Sequence, residues 1–302
     1  MPRSKSLDTL LAERKIEHDV DVRLAVMSPL RVGGAVDYVI TVKSEAELLL
    51  VHDALKQENI PFFMLGDATN ILLSDDGFRG AAIRLKGTFA SFTISGTVLT
   101  AGGGVSMERL SRETRMQKLS GMEFVCALPG TVGGSVVKNA TCFGQSVSGI
   151  LKSLTMFCPE KGITEKKLGE ITFGTRTSSI KSCMVLAAVF ALEESSEESI
   201  QSTTEKYRYI RGVLQPAGRS SGLVFADAAE NKAYQMVERV GALSLSFGGA
   251  MWYKQFPNYI VNPKNASARD IYMLIKETQK MVAQHYSHEL DFNLVMLGDF
   301  GV

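Results

Sequence analysis

Leu128-Pro129-Gly130-Thr131-Val132-Gly133-Gly134-Ser135-Val136-Val137-Lys138-Asn139-Ala140 is the stretch on which the fold turns. Three glycines in five residues let main chain approach a ligand with no Cβ in the way. Pro129 fixes φ just ahead of them. Successive free N–H groups in such a turn form a hollow suited to phosphate oxygens. A tight turn without a ligand fits the same letters, so both readings stand on this stretch alone. Upstream, Gly66-Asp67-Ala68-Thr69-Asn70-Ile71-Leu72-Leu73 repeats the scheme of strand, small polar turn and apolar run. Two such loops in one chain are expected to hold the two ends of one long, phosphate-bearing ligand.

The chain has 302 residues, more than one ordinary core, so two or three domains are expected. Net charge is +1, with no clustered basic face to suit nucleic acid. The charged start Met1-Pro2-Arg3-Ser4-Lys5 is followed by no apolar run, so no signal peptide is read. No apolar run is long enough to span a bilayer. Cys126, Cys142, Cys158 and Cys183 lie far apart and form no C-x-x-C. Idle thiols in a reducing cytoplasm are expected, rather than disulfides or a metal site.

Around the two loops the chain reads as α+β. Leu7 to Arg14 is an amphipathic N-terminal helix within a polar lead-in reaching about Met27. Val36 to Val42 is a strand. Ser44 opens a helix, with Glu47 completing a capping box and Leu48, Leu49, Val51 and Leu55 as its buried stripe. Ile60 to Leu65 and Ala81 to Leu85 are strands, giving a βαββ-type unit. Phe92 to Thr100 is a hairpin about Ser95-Gly96. Gly102-Gly103-Gly104 ends it, and Ser106 caps a helix reaching about Lys118. Leu151 to Phe157 and Met184 to Leu192 are strands flanking a Lys-rich loop. Glu193 to Ser199 is a solvated linker or helix start, taken as a boundary. Beyond it come a helix from Ser199 to Arg211, a strand from Ser220 to Phe225 and a helix from Lys232 to Val240 stopped by Gly241. A strand at Tyr259 to Val261, a long helix capped by Ser267 and a closing strand from Phe292 to Leu297 complete the chain. The divisions are 1–88, 89–194 and 195–302.

Chemistry without any family is sparse. His285 and His288 have the spacing for one metal, but no cysteine completes a site and a solvent-facing pair is expected. No G-x-S-x-G, P-loop or Rossmann G-x-G-x-x-G is present. Trp252 reads as packing. Arg176, after a glycine and among hydroxyls, is either a surface charge or a two-pronged holder of an anion.

Together these residues carry a resemblance. Arg31-Val32-Gly33-Gly34, Leu65 to Leu72, Gly77-Phe78-Arg79-Gly80 and Leu128 to Gly134 come in order and spacing. Phe173-Gly174-Thr175-Arg176, Gln215-Pro216, Gly248-Gly249-Ala250 and Asn258 to Asn262 extend them. The chain resembles the UDP-N-acetylenolpyruvoylglucosamine reductase (MurB) family, in its shorter subtype, over nearly its whole length. The resemblance implies an FAD-binding fold of the vanillyl-alcohol-oxidase type made by the first two units, and a C-terminal α+β domain that covers a UDP-sugar. It implies FAD as cofactor, NADPH as electron donor, and a cytoplasmic monomer in peptidoglycan precursor synthesis, with no metal, membrane or nucleic-acid partner. In the family reaction NADPH reduces FAD, the flavin gives hydride to an enolpyruvyl double bond, and a serine protonates the adjacent carbon. An arginine and a glutamate stabilise the intermediate.

Carried over residue by residue, the flavin half transfers: Arg31, Gly66, Asp67, Ala68, Thr69, Asn70, Gly130, Thr131, Val132, Gly133 and Gly134 match. Asp67 and Ala68 replace the usual glycines, and a carboxylate beside a phosphate is unfavourable unless it points away. In the catalytic half Arg176 matches, with Thr175 in place of the family tyrosine. The serine position is Leu223, the glutamate position is Asn293, and the family Lys-Asn-Pro is Ala226-Asp227-Ala228. The usual histidine before the Asn258 run is Phe256. Leucine has no exchangeable proton and asparagine carries no charge. Losing a proton donor costs roughly two to four orders of magnitude in rate. Ser221 and Asp291, one pleat repeat from the lost groups, are the substitutes that strand alternation offers. The readings left open are the reductase, a MurB-like flavin- or nucleotide-binding protein without turnover, an altered flavoenzyme and a bare scaffold.

Overall fold

The computed structural model describes residues 3–180, 182–227 and 231–301. It divides into two compact units, Met1–Asp19 with Val39–Asp67 and Ala81–Arg211, and Val20–Tyr38 with Ala68–Gly80 and Gly212–Val302.

The first unit is built on a five-stranded antiparallel sheet, in the order Gly162–Lys167, Leu151–Cys158, Met184–Ala191, Val98–Gly102, Phe92–Ser95. Met184–Ala191 is almost wholly apolar, as suits the central position with both faces covered. Gly162–Lys167 alternates exposed and half-buried residues and carries Lys166 and Lys167, as suits an edge. Phe92–Ser95 and Val98–Gly102 form the expected hairpin, with Ser95 opposite Val98. The six-residue helix α4, Val132–Val137, packs on Met184–Ala191. It approaches closely because a Cβ on Gly103 would stand 2.0 Å from the Val185 carbonyl, and one on Gly133 3.2 Å from that of Gly103. Val132, Val136, Leu99, Leu154 and Phe190 fill the core beneath. This unit also holds α1 (Lys5–Glu13), α2 (Glu45–Gln57), α3 (Met107–Met116) and most of α5 (Glu197–Leu214).

In the second unit α7, Ala268–Tyr286, starts from the expected cap: Ser267 and Asp270 form a reciprocal capping box. The Asp75 carboxylate adds bonds from the Ala268 and Arg269 N–H groups, at 3.0 and 2.9 Å. Ile271, Leu274, Ile275, Thr278 and Val282 are its buried face. The helix packs on the antiparallel strands Ser246–Phe247 and Ala250–Trp252, the latter paired with Ile260–Val261. Trp252 is packing, as expected: it is 1% exposed, and its indole N–H donates to Thr278 Oγ1 at 3.0 Å. α6, Ala233–Arg239, ends at Gly241, whose φ is +77°.

Several readings are corrected. The lead-in contains a strand, Glu17–Arg23, which its polar sequence hides. Leu49 is 40% exposed; the buried stripe of α2 is Leu48, Val51, His52, Ala54 and Leu55. Glu47 accepts from the Lys43 N–H, so only the Ser44 half of the box forms as read. The Lys-rich loop holds the edge strand Gly162–Lys167. Glu193–Glu194 pairs with Leu119–Ser120 instead of running free as a linker, while the helix-start alternative holds, with α5 beginning at Glu197. Ser220 to Phe225 is no strand: it makes only isolated bridges, Ser220 to Val261 and Phe225 to Phe292. Val224 and Phe225 are both buried, held through Asn258 rather than by a ladder.

The cysteines are corrected too. Cys158 and Cys183 form a disulfide, while Cys126 and Cys142 are free. Phe157 faces Met184 in the antiparallel ladder, so the next residues outward, 25 apart in sequence, stand side by side with Cα atoms 4.3 Å apart. Sequence distance hid what strand pairing brings together. Replacing both by serine is expected to lower stability by about 3 kcal/mol through restored freedom of the unfolded loop. Urea midpoints measure it, and an unchanged midpoint would show that the bond constrains nothing.

Candidate functional site

In the first unit the organising stretch is more built than its letters suggest. Gly130 has φ +126°, Thr131 is the N-cap of α4, and Thr131 Oγ1 accepts from Gly134 N at 3.4 Å. The N–H groups of Val132 and Gly133 donate to Val105 and Gly103 carbonyls, both at 2.8 Å. The expected hollow of successive free donors is therefore corrected: these two are spent on the scaffold. What the stretch offers is bare main chain. A Cβ on Gly134 would meet only Thr131 Oγ1, at 3.7 Å, and one on Gly66 would meet only the Thr131 side chain, from 3.0 Å. Gly66 and Thr131 thus bring the two loops together. Asp67 is exposed.

Arg176 sits at the tip of a two-residue turn between Phe173–Gly174 and Thr177–Ser178, with φ +52°. Its guanidinium donates to the Thr141 carbonyl at 3.3 Å. The hairpin is fixed to the chain after α4: Ser178 Oγ donates to Val137 O at 2.7 Å and Asn139 Nδ2 to Gly174 O at 2.9 Å. Lys138 lies between those anchor points and is half-buried. Burial first, and the Arg176 charge second, hold its ammonium pKa below the usual lysine range. Cys142 faces Arg211 of α5 at 3.9 Å. Burial pushes the Cys142 and Cys126 thiols up, outweighing the arginines near each. Lys138 went unmarked in the sequence; its signal was a cation closing an apolar run after the glycines.

In the second unit the remaining residues serve mostly as struts. Arg31 is exposed, with φ +58°, and donates to Val26 O at 3.0 Å. Ala68 is buried with φ +53°, the left-handed region that suits the glycine it replaces. Ala68→Gly is expected to raise stability by about 0.5–1 kcal/mol by removing that strain, read from thermal midpoints. The Thr69 carbonyl lies 3.4 Å from where a Gly222 Cβ would be. Asn70 Nδ2 donates to Asn293 O at 2.8 Å.

The substitutes for the missing acid are occupied or outside. Ser221 is buried; its hydroxyl donates to Gly222 O at 2.6 Å and accepts from Ile260 N at 2.9 Å. Asp291 is exposed. Asn293 is buried, and its Nδ2 donates to Phe225 O at 2.6 Å. Leu223 is half-buried. Asp227 accepts from Ala233 N at 3.0 Å, at the start of α6; Ala228 lies outside the described residues. Phe256 stacks on Tyr234, ring centres 4.8 Å apart. His285 and His288 are exposed. Among the described residues no group of three His, Cys, Asp or Glu is placed to hold a metal, and no helix is long and apolar enough to cross a membrane.

The chain is similar to known proteins over most of its length. A family model described as FAD binding domain matches residues 36–164. One described as UDP-N-acetylenolpyruvoylglucosamine reductase, C-terminal domain, matches residues 215–297. The chain is similar to the UDP-N-acetylenolpyruvoylglucosamine reductase of Clostridioides difficile, 30% identical over 297 residues and 97% of each chain. It is similar to UDP-N-acetylenolpyruvoylglucosamine reductase 2 of Symbiobacterium thermophilum, 29% identical over 89% of this chain and 88% of that one. The solved reductase (MurB) of Thermus caldophilus matches with a TM-score of 0.80 at 26% identity, over 94% of this chain and 99% of that one. The α+β fold read from the sequence, an FAD-binding part followed by a further α+β part, is the fold found.

Proposed function

The chain belongs to the UDP-N-acetylenolpyruvoylglucosamine reductase family, and from that premise we propose that it reduces UDP-N-acetylglucosamine enolpyruvate to UDP-N-acetylmuramate. The bound cofactor in this reading is FAD, and the electron donor is NADPH. The observation that carries it is the side-chain-free surface of Gly66 and Gly134 around Thr131, on the short helix that is tied to the Arg176 hairpin. That surface fits a flat ring system and its phosphate chain, since a Cβ at either glycine would stand on it. Gly66 to Asn70 and Gly130 to Gly134 would hold the cofactor, with Asp67 turned to solvent. When bound, FAD takes hydride from NADPH and supplies it to the enolpyruvyl double bond. Arg176 would hold the substrate carboxylate and stabilise charge developing beside it. The proposed organisation is two flavin-binding subdomains, 1–88 and 89–194, and a substrate domain, 195–302, acting in the cytoplasm as a monomer.

The purified protein is expected to be yellow, to bleach with NADPH and to regain its colour on anaerobic addition of the enolpyruvyl sugar nucleotide. A colourless protein that takes up no FAD overturns the proposal. A second reading, flavin or nucleotide binding without turnover, is favoured by the occupied Ser221 hydroxyl and by Leu223 and Asn293. It predicts bleaching by NADPH and no return of colour with the sugar nucleotide.

A further inference from the structure

The family reaction needs a proton on the carbon beside the one that receives hydride. Leu223 has none to give, the Ser221 hydroxyl is bound at both ends in main chain, the Asn293 amide is held by Phe225, and Asp291 is exposed. The first unit holds another source. Lys138 is the C-cap residue of α4, the helix that opens in the glycine stretch. Its neighbours Val137, Asn139 and Thr141 are each hydrogen-bonded to the Arg176 hairpin, at 2.7, 2.9 and 3.3 Å. Main chain on both sides of Lys138 is therefore tied to the hairpin that carries the arginine. The two cations lie close enough for the Arg176 charge to act on Lys138. The Arg176 charge also acts on the Cys142 thiol, on Thr141–Cys142, and Cys142 in turn faces Arg211 of α5. One cation at the end of this helix and another on the hairpin tied to it suit a substrate that brings a carboxylate next to the carbon to be protonated.

We propose that the Lys138 ammonium is the acid that protonates the enolpyruvyl carbon in this chain, in place of the hydroxyl that Leu223 lacks. The inference rests on the reductase reading above. The reductant is the NADPH-reduced flavin named there. As the carbon–carbon π bond breaks, one carbon gains hydride and the other bonds to a Lys138 proton; Lys138 is left as a neutral amine and regains a proton from water. Its lowered pKa brings the acid nearer to neutral operating pH, where proton transfer is most effective. Arg176 keeps its charge throughout and places the carboxylate.

Two measurements test this. The first is acylation of Lys138 by acetic anhydride in the purified protein without substrate, followed across pH by peptide mass spectrometry. Its reactivity is expected to titrate below the ordinary lysine range, and to move upward in Arg176→Gly, where one of the two causes is gone. An ordinary lysine profile overturns the proposal without reference to turnover. The second is stopped-flow reoxidation of the NADPH-reduced protein by the enolpyruvyl sugar nucleotide. Lys138→Met is expected to bind FAD and accept electrons from NADPH as the parent does, yet to reoxidise about 10²–10⁴-fold more slowly. The parent rate is expected to fall as pH rises through the Lys138 pKa, and the Lys138→Met rate to lack that limb. Lys138→Arg keeps the charge but holds its proton, so it is expected to be as slow as Lys138→Met; recovery by arginine would assign a placing role and overturn the acid. Normal reduction with parent-rate reoxidation in Lys138→Met overturns the acid alone. A parent protein that NADPH does not reduce overturns the reductase reading, and the acid with it.

Discussion

Asn293→Asp is expected to lose about 3 kcal/mol of stability at pH 8 and to recover much of it at pH 5. Asn293 is 6% exposed, and its amide donates to the Phe225 carbonyl at 2.6 Å. That carbonyl also accepts from Asn258 Nδ2 at 2.9 Å, while Asn258 Oδ1 takes the Phe225 N–H at 2.8 Å. Two asparagines thus hold one buried peptide, and the Phe225 ring is stacked on Trp252. A carboxylate at 293 would set an acceptor against an acceptor in a buried place. Burial raises the folded-state pKa of such an aspartate above its unfolded value, so stability is highest below the unfolded pKa and falls as pH rises through the folded one. Urea midpoints of both proteins at the two pH values measure the difference. Parent-like stability of Asn293→Asp at pH 8 would show the amide donor to be dispensable. The same geometry bears on function: Asn293→Glu adds a methylene as well as a charge, so restoring the family glutamate breaks the Phe225 clamp before it restores any chemistry.

What the sequence made legible followed from local rules. Ser267 as the cap of α7, Gly241 after α6 and the hairpin about Gly96 depend on neighbours a few residues away, and each stands as read. Most of the failures come from pairing across long separations. The disulfide needs Phe157 opposite Met184; the strand Glu17–Arg23 shows only Val20 and Val22 among polar residues; Ser220 to Phe225 looks β-rich but makes only isolated bridges. The site divides in the same way. Glycines at 66 and 134 advertise bare backbone, because only absence of a Cβ leaves it. Whether the N–H groups of Val132 and Gly133 are free is decided by Val105 and Gly103, a strand end and turn away, and no motif records that. Ser221 fails as a substitute for a related reason: strand alternation requires a strand, and the segment is held instead by Ile260 and Asn258.

Arg176→Gly is expected to slow reoxidation of the reduced protein by the enolpyruvyl sugar nucleotide by about 10²–10³-fold, while folding stability stays within about 1 kcal/mol of the parent. The two halves of this expectation come from different parts of one residue. The backbone has φ +52°, where an L side chain is strained and glycine is not, so the substitution removes strain of about 1 kcal/mol. The side chain's bond to the Thr141 carbonyl, 3.3 Å and partly buried, contributes a similar amount in the opposite sense. The hairpin keeps its place through Ser178 and Asn139, which are untouched. What is lost is the cation whose charge acts on Lys138. A guanidinium whose approach is set by three hydrogen bonds needs no reorganisation as charge develops on a substrate, and that is the source of the large kinetic term. Reduction by NADPH is expected to proceed at the parent rate, which separates this loss from a failure to bind FAD. Arg176→Ala is the matched control: it removes the same charge but keeps a Cβ in the left-handed region, so it is expected to be equally slow and less stable than Arg176→Gly. Parent-rate reoxidation in both variants would remove the guanidinium from the reaction and leave the carboxylate to be held by other groups.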